Sequence, residues 1–264
     1  INVGSMKNIG LEFAINARPI VTKDFTWTID YNVAWNKNEI TKLNNSDDPN
    51  AVINVGGISG GTGNTVQAHK VGFPAYTFCL YEQVYDANGK PIEGEFVDQD
   101  GNGVINDDDR VLRYQKDPKV TMTMSNTFNY KNWDLGFVLR ANLGAKVYNN
   151  VLAQRTVLNR TYQNTHLSNL VENDVYFTGE TNANLYYSDY YLRSGDFLRC
   201  DNITLGYTWQ NLLNNNLRLR LYGAVQNPFV ITKYNGLDPE VFGGIDNNVY
   251  PRPTTYTIGL VATF

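Results

Sequence analysis

The residues whose types and spacing could do chemistry stand close together at 98–109. Asp98, Asp100, Asn102, Val104, Asn106 and Asp109 fit the pattern D-x-D-x-N-G-x-I-x-x-x-D. That pattern places oxygen donors at loop positions 1, 3, 5, 7, 9 and 12 and glycine at position 6, where the chain must turn sharply, as in an EF-hand. Asp98, Asp100, Asn102 and Asp109 would ligate through side chains and Val104 through its carbonyl. Asn106 would act directly or through water. Position 12 is Asp109 rather than the longer Glu, which shortens its reach and leaves Ca²⁺ or Mg²⁺ as the candidate ion. The bland alternative is a solvated acidic loop without an ion. No catalytic group adjoins the motif, so its expected role is to stiffen the loop.

Other chemistry is sparse. The segment 147–196 is dense in aromatics, among them Tyr162, Tyr176, Phe177, Tyr186, Tyr187, Tyr190 and Tyr191. Such rings suit a sugar's C–H face or a protein partner, in whose interfaces Tyr is enriched. Tyr186, Tyr187, Tyr190 and Tyr191 are the candidates, although ordinary loop packing is the stronger reading for any one of them. His69 and His166 are isolated, and no nucleophile–base pair or phosphate loop is present, so the sequence gives no indication of an enzyme. Cys79 and Cys200 lie far apart without metal-type spacing; two free thiols are preferred over a disulfide.

The elements that must hold these residues are strands. Of the 264 residues only 18% are charged and 42% hydrophobic, both low for a water-soluble domain. Asn, Thr, Gly and 18 Tyr fill the difference, a composition of strands and turns. The net charge of −4 and pI near 5.2 argue against nucleic acid, which needs a basic field. No apolar run is long enough for a membrane helix. No signal peptide is visible, and the chain opens on Ile1, which reads as a fragment.

Apolar and polar residues alternate with period two. Phe25, Trp27, Ile29, Tyr31, Val33 and Trp35 share a face opposite Thr26, Thr28, Asp30 and Asn32; Trp133, Leu135, Phe137 and Leu139 oppose Asp134 and Arg140. Leu219 and Leu221 oppose Arg218 and Arg220, and Ile258 and Leu260 oppose Thr257 and Gly259. The runs hold about 10–13 residues, and a tilted membrane strand needs about 9–11. Aromatics gather at run ends, as in the girdles at membrane interfaces. Nine strands are expected, at 8–20, 24–40, 63–72, 75–85, 118–130, 132–146, 197–209, 214–227 and 252–264, joined alternately by short and long connections. That is the loop pattern of outer-membrane barrels. Trp27, Ile29, Phe137, Leu139, Leu219, Leu221, Ile258 and Leu260 should face lipid. Glu12, Arg18, Arg140, Arg218 and Arg220 should face the lumen, where holding an internal plug is a stronger reading than guiding substrate. The final Phe264 suits the lipid face of a closing strand.

Several blocks are specific to a family. Ser194–Gly195–Asp196–Phe197–Leu198–Arg199 with Asn202–Ile203–Thr204–Leu205–Gly206–Tyr207 resembles the SusC-like TonB-dependent transporters of the Bacteroidetes. So do Gln226–Asn227–Pro228–Phe229, Thr232–Lys233–Tyr234, Gly236–Leu237–Asp238–Pro239–Glu240–Val241 and Tyr250–Pro251–Arg252–Pro253. Asn2–Val3–Gly4, Asn8–Ile9–Gly10 and Glu12 are similar to that family's N-x-G…N-x-G-x-E segment; Cys200 departs from the apolar residue expected. The resemblance implies an all-β transmembrane antiparallel barrel of about 22 strands, of which residues 1–264 are the C-terminal portion, about nine strands. It implies a plug domain and TonB box before Ile1, contact with TonB through that missing part, and a SusD-like surface lipoprotein as lid. The implied function is TonB-dependent import of a large nutrient, an oligosaccharide or a peptide, across the outer membrane. A soluble β-rich carbohydrate-binding or adhesion module and a passive porin are the alternatives. The destination of the apolar faces, a core or lipid, separates module from barrel.

Overall fold

A computed structural model describes residues 4–43, 51–59, 63–157, 177–178, 183–212 and 217–264. Seven long strands form one antiparallel sheet: β1 (Gly4–Val21), β2 (Phe25–Leu43), β3 (Val120–Tyr130), β4 (Trp133–Leu143), β5 (Phe197–Asn211), β6 (Leu217–Thr232) and β7 (Thr255–Thr263). Each is hydrogen-bonded to its neighbour in sequence order. The connections at 22–24, 131–132 and 212–216 are short; those at 44–119, 144–196 and 233–254 are long. All short turns therefore lie at one rim and all long connections at the other, as in outer-membrane barrels.

Two expected wall strands are corrected. The segments 63–72 and 75–85 do not join the wall. They supply Thr65–Lys70 and Thr77–Leu80, which pair with Val52–Gly57 and Val111–Gln115 in a separate four-stranded sheet. Among the described residues the wall has seven strands rather than nine. These strands have only 6 and 4 residues, too short to span. Val66, Ala68 and Phe78 are fully buried, which no lipid-facing alternation permits. The expected turn at Phe73–Pro74 is thus part of the outer cap. It docks on the outer end of β2, where Ile40 N donates to Phe73 O and Gly72 N to Ile40 O, each at 2.9 Å.

The register of the wall matches the alternation. Trp133, Tyr207, Leu221 and Leu260 lie in one cross-strand row, and Phe137, Ile203, Val225 and Tyr256 in another. Asp134 and Arg220 occupy the opposite face together with Arg140. The apolar face is uncovered, with Leu11 74% and Ile258 84% exposed. A soluble sandwich would bury such a face in a core; here it is the lipid face of a transmembrane β-barrel wall. Phe25, Trp27, Phe128, Tyr130, Trp133, Tyr207 and Trp209 collect on it near the short-turn rim, with Trp27 stacked on Phe128 at 5.6 Å and Trp133 edge-on to Tyr207 at 4.8 Å. Amphipathic rings settle at such an interface because one edge is apolar and the other wet. One polar residue interrupts this face. Asn126 is buried in register with Ile29 and Phe137, and its Oδ1 accepts the Trp27 Nε1 proton at 3.1 Å.

The hydrophobic core belongs to the cap. Val66, Phe78, Leu80, Tyr148, Leu152, Phe177, Leu185 and Tyr191 pack together from two long connections. Helix α1 (Asn150–Arg155) and a three-stranded sheet of Leu192–Ser194, Lys146–Asn149 and Ile245–Asp246 complete it, the last strand coming from the third connection.

Candidate functional site

The motif at 98–109 forms a loop between the strand Pro91–Phe96 and the strand Val111–Gln115. Asp98 accepts from Gly101 N through Oδ1 and Gly103 N through Oδ2, both at 2.7 Å. Asp100 Oδ1 accepts from Asn102 N, and Asn102 Oδ1 from Val104 N. Asp109, fully buried, closes the loop by accepting from Gln99 N at 2.7 Å and Asn106 N at 2.8 Å. Gly101 and Gly103 take φ of +74° and +81°, a region in which a side chain is strained. Carboxylate oxygens of Asp98, Asp100 and Asp109 come within 4.8 Å of one another, and among the described residues no cationic side chain pairs with any of the three. The donor set is all oxygen, which suits a hard cation. Asn106 Oδ1 caps the short turn Asp107–Asp109 by accepting from Asp108 N. The Gly103 N–H, with Gly101 and Asn102 beside it, holds the Asp98 carboxyl below the usual carboxylate range.

Arg110 follows the motif and was missed in the sequence. It donates to Thr65 O at 2.7 Å and Cys79 O at 2.8 Å, and its guanidinium lies 4.4 Å from the Tyr187 ring. It therefore ties the base of the loop to the cap. Its place directly after the twelfth motif residue was the available signal.

The tyrosines proposed for ligand contact are turned inward. Tyr191 is fully buried, and Tyr186, Tyr187 and Tyr190 pack against the cap core. The Tyr187 hydroxyl donates to Asn64 Oδ1 at 2.8 Å, and the Tyr148 hydroxyl to Tyr186 O. The cap needs apolar bulk with polar tips that can reach backbone, and these residues supply it. Loop packing, the stronger sequence reading, describes them. Tyr162, Tyr176 and His166 lie outside the described residues.

The lumen-side charges form two clusters. Arg220 Nε bonds Asp134 Oδ1 at 2.9 Å across Gly206, where a Cβ would sit 2.6 Å from Asp134. Nearer the outer rim an extra residue in β5, Asp201, faces Arg140; a bulge re-aims a side chain in this way. Arg140 grips Asp201 at 3.1 and 3.2 Å and Glu240 at 2.7 and 3.0 Å. Arg199 bonds Asp238 at 2.7 Å with both side chains about 95% buried, and Arg252 reaches Glu240 at 3.0 Å and Asp238 at 3.4 Å. Burial works against a charged Glu240, but the Arg140 hydrogen bonds and the charges of Arg252 and Arg199 outweigh it and hold its carboxyl below the usual range. Three of the blocks that carry the family resemblance thus converge on one network: Ser194–Arg199, Gly236–Val241 and Tyr250–Pro253. Arg140 was expected to face the lumen and does. Its partners lie within this chain, where they pin the third long connection to the wall.

A lipid-facing wall, a charged lumen face and a folded outer cap define a transmembrane β-barrel protein. No family model matches the chain. Over 276 residues, all of the chain, it is 47% identical to the TonB-dependent receptor SusC of Bacteroides thetaiotaomicron. It is 28% identical, again along its whole length, to the TonB-dependent receptor P3 of Formosa agariphila. It spans 27% and 29% of those relatives. Structures of the RagAB peptide transporter and of the RagAB peptide importer in its closed-closed state match 99% of the chain and 30% of theirs, at 25% identity and TM-scores of 0.76 and 0.78. The chain belongs to the SusC-like TonB-dependent receptors.

Proposed function

We propose that these residues form part of the barrel wall and the outer cap of an importer in the outer membrane that takes up a large nutrient, an oligosaccharide, under the drive of TonB. The observation that supports this most is the pinned cap. A passive pore needs an open mouth, whereas here parts of all three long connections are folded and tied over the lumen side. A SusD-like surface lipoprotein would close on this cap. The plug and the TonB-contacting segment would belong to parts of the protein outside these 264 residues. The protein acts as a transporter and not as an enzyme. Uptake of labelled oligosaccharides by cells with and without the full-length gene tests this reading. Import should require the gene and stop when the proton-motive force is collapsed. Import that survives the collapse would indicate a passive porin. The similarity to the RagAB peptide transporter makes peptides the second cargo to assay.

We also propose a divalent cation, Ca²⁺ or Mg²⁺, held by Asp98, Asp100, Asn102, Asp109 and the Val104 carbonyl, with Asn106 acting directly or through water. The ion would offset the repulsion of the three clustered carboxylates and fix the loop. Limited proteolysis of the full-length protein with and without chelator is the test; cleavage at 97–110 that is indifferent to chelator would leave a solvated acidic loop.

A further inference from the structure

The lipid face of the β1–β2 hairpin changes character at its outer end. Ile9, Leu11, Phe13 and Ile15 of β1 share that face with Tyr31, Val33 and Trp35 of β2. Beyond them the same face carries charge. Lys37 stands opposite Ile9, and Lys7 opposite Glu39. Lys37 Nζ lies 3.3 Å from Glu39 Oε2, which fixes both on one face. The register shift between Ser5 and Met6 skips Thr41, and it turns Lys42, the partner of Ser5, to that face as well. A bulge re-aims a side chain in this way. Three exposed lysines thus stand with a single carboxylate. Among the described residues no carboxylate lies within ion-pair distance of Lys7 or Lys42.

Their height follows from the strand. Trp27 belongs to the aromatic girdle at the short-turn rim. From there to Lys37, at about 3.3 Å per residue and a tilt of about 40°, β2 rises about 25 Å, which is the height of the apolar band. Lys7 and Lys37 therefore stand where hydrocarbon gives way to headgroups on the outer side, and Lys42 stands further out. Lys7 is diagonal to both of the others across the hairpin. Diagonal neighbours are about 7–8 Å apart, within reach of long side chains, so the three ammonium groups can close on one anion while their stems lie along the sheet.

The cluster is local. The outer ends of β4, β5 and β6 carry Leu143, Leu198 and Ile231 on the lipid face, and the chain as a whole has a net charge of −4, which repels anions at large. A soluble anion would use the lysines and leave the apolar strip beneath them unused; a neutral lipid would do the reverse. A lipid with phosphate on its headgroup matches both. We infer that Lys7, Lys37 and Lys42 form a site on the barrel exterior for the phosphorylated headgroup of an outer-leaflet glycolipid, whose acyl chains lie against Ile9, Leu11 and Trp35. Lysine suits this task because it is a point charge on a flexible stem, and each basic residue beside an anionic leaflet adds to the attraction. The inference uses only the outward face and its orientation, so it stands apart from the import reading.

The test uses the full-length receptor, delipidated in detergent, with bound lipid counted by native mass spectrometry. The probes are diphosphorylated lipid A and a synthetic analogue of the same acylation without phosphate. Wild type should hold the phosphorylated lipid about tenfold more tightly than the analogue. Lys7→Gln with Lys37→Gln and Lys42→Gln should abolish that preference and leave binding of the analogue unchanged. Glu39→Gln should increase the preference, and Lys233→Gln, a lone cation at the same rim, should leave it unchanged. Inorganic phosphate should not displace the lipid. The replaced lysines are exposed, so the triple variant should fold, as read from heat-modifiability on a gel. A wild type that does not prefer the phosphorylated lipid overturns the inference, as does a triple variant that keeps the preference, or Lys233→Gln losing as much as the triple variant. Displacement by inorganic phosphate would overturn it in favour of a soluble anion. A triple variant that loses a dimeric mass while its lipid binding is unchanged would give the face to a second copy of the chain.

Discussion

Asp238 is the joint between wall and cap, and Asp238→Asn is the most informative single change. Asp238 Oδ1 accepts hydrogen bonds from Arg199 Nη2 at 2.7 Å and the Glu240 amide at 2.8 Å, and Oδ2 lies 3.4 Å from Arg252. The Asn side chain keeps the shape and loses the charge. Removing one partner of a buried ion pair costs about 3–5 kcal/mol, because the remaining charge stays desolvated. Glu240 lies 3.6 Å from Arg199 Nε and supplies partial compensation, so the lower end, about 3 kcal/mol, is expected. At about 1.4 kcal/mol per decade, the opened form of the 233–254 connection should become roughly a hundredfold more populated. The wall should be unaffected, since its ladder hydrogen bonds do not involve Asp238. Amide hydrogen exchange of the full-length protein in detergent measures this directly: exchange should accelerate across 233–254 and not in β4 or β6. Replacing both partners, Arg199→Met with Asp238→Leu, should recover most of the protection, because a well-packed apolar pair leaves no stranded charge. Unchanged exchange in 233–254, or acceleration spread evenly through the wall strands, would refute the pinning argument.

Acid should loosen the same connection. Glu240 has a folded pKa below its ordinary value, so it contributes stability above that ordinary value and loses it as pH falls through the depressed one; the protease resistance of 233–254 should hold near neutrality and fall only in acid, with Glu240→Gln lacking that acid step. Asp98→Ala with Asp100→Ala should make 97–110 cleavable even with added Ca²⁺ or Mg²⁺ while the barrel stays folded on a heat-modifiability gel; a loop as resistant as wild type would count against the ion. Trp27→Phe leaves Asn126 Oδ1 buried without its donor, a cost of about 1–3 kcal/mol, and should lower the unfolding midpoint in detergent. Adding Asn126→Leu should restore that midpoint, and if it does not, loss of the Trp27 anchor at the interface is the cause instead.

The wall was legible because a membrane strand obeys a simple rule. Phe25 to Trp35 and Trp133 to Leu143 each keep one face wholly apolar, since lipid penalises a charge on one side while the lumen tolerates it on the other. The same rule misled at 63–85. Residues there also read as strands, but period two says nothing of which sheet a strand joins. Length carried the missing information: Thr77–Leu80 has four residues, and what lies on both its sides is protein. The clustering of Asp98, Asp100 and Asp109 was legible because the three carboxylates come from one continuous segment. Arg199, Asp238, Glu240 and Arg252 were visible only as parts of family-like blocks. Their partnership is made across the sheet by register, the Asp201 bulge and the fold of a long connection, none of which a linear pattern displays.

The two halves of the molecule solve opposite solvent problems, and the charge network lies where they meet. In the wall, backbone hydrogen bonding between neighbours is compulsory because lipid offers no partners, and apolar side chains are left outward. In the cap, water surrounds the chain and the apolar side chains must turn in, which gathers Tyr148, Leu152, Phe177 and Tyr191 into a core. Apolar contact at the lumen side is limited, since that side of the wall is mostly polar, with Phe197 a buried exception. A joint there must be ionic or hydrogen-bonded. The three arginines and three carboxylates at Arg140, Arg199, Arg252, Asp201, Asp238 and Glu240 supply it with balanced charge. An ionic joint has a further property that an apolar one lacks: a competing charge or a change of pH can release it without exposing a core. The 233–254 connection is therefore held in shape over the lumen side by a joint that charge or acid can release, which packing alone would not allow.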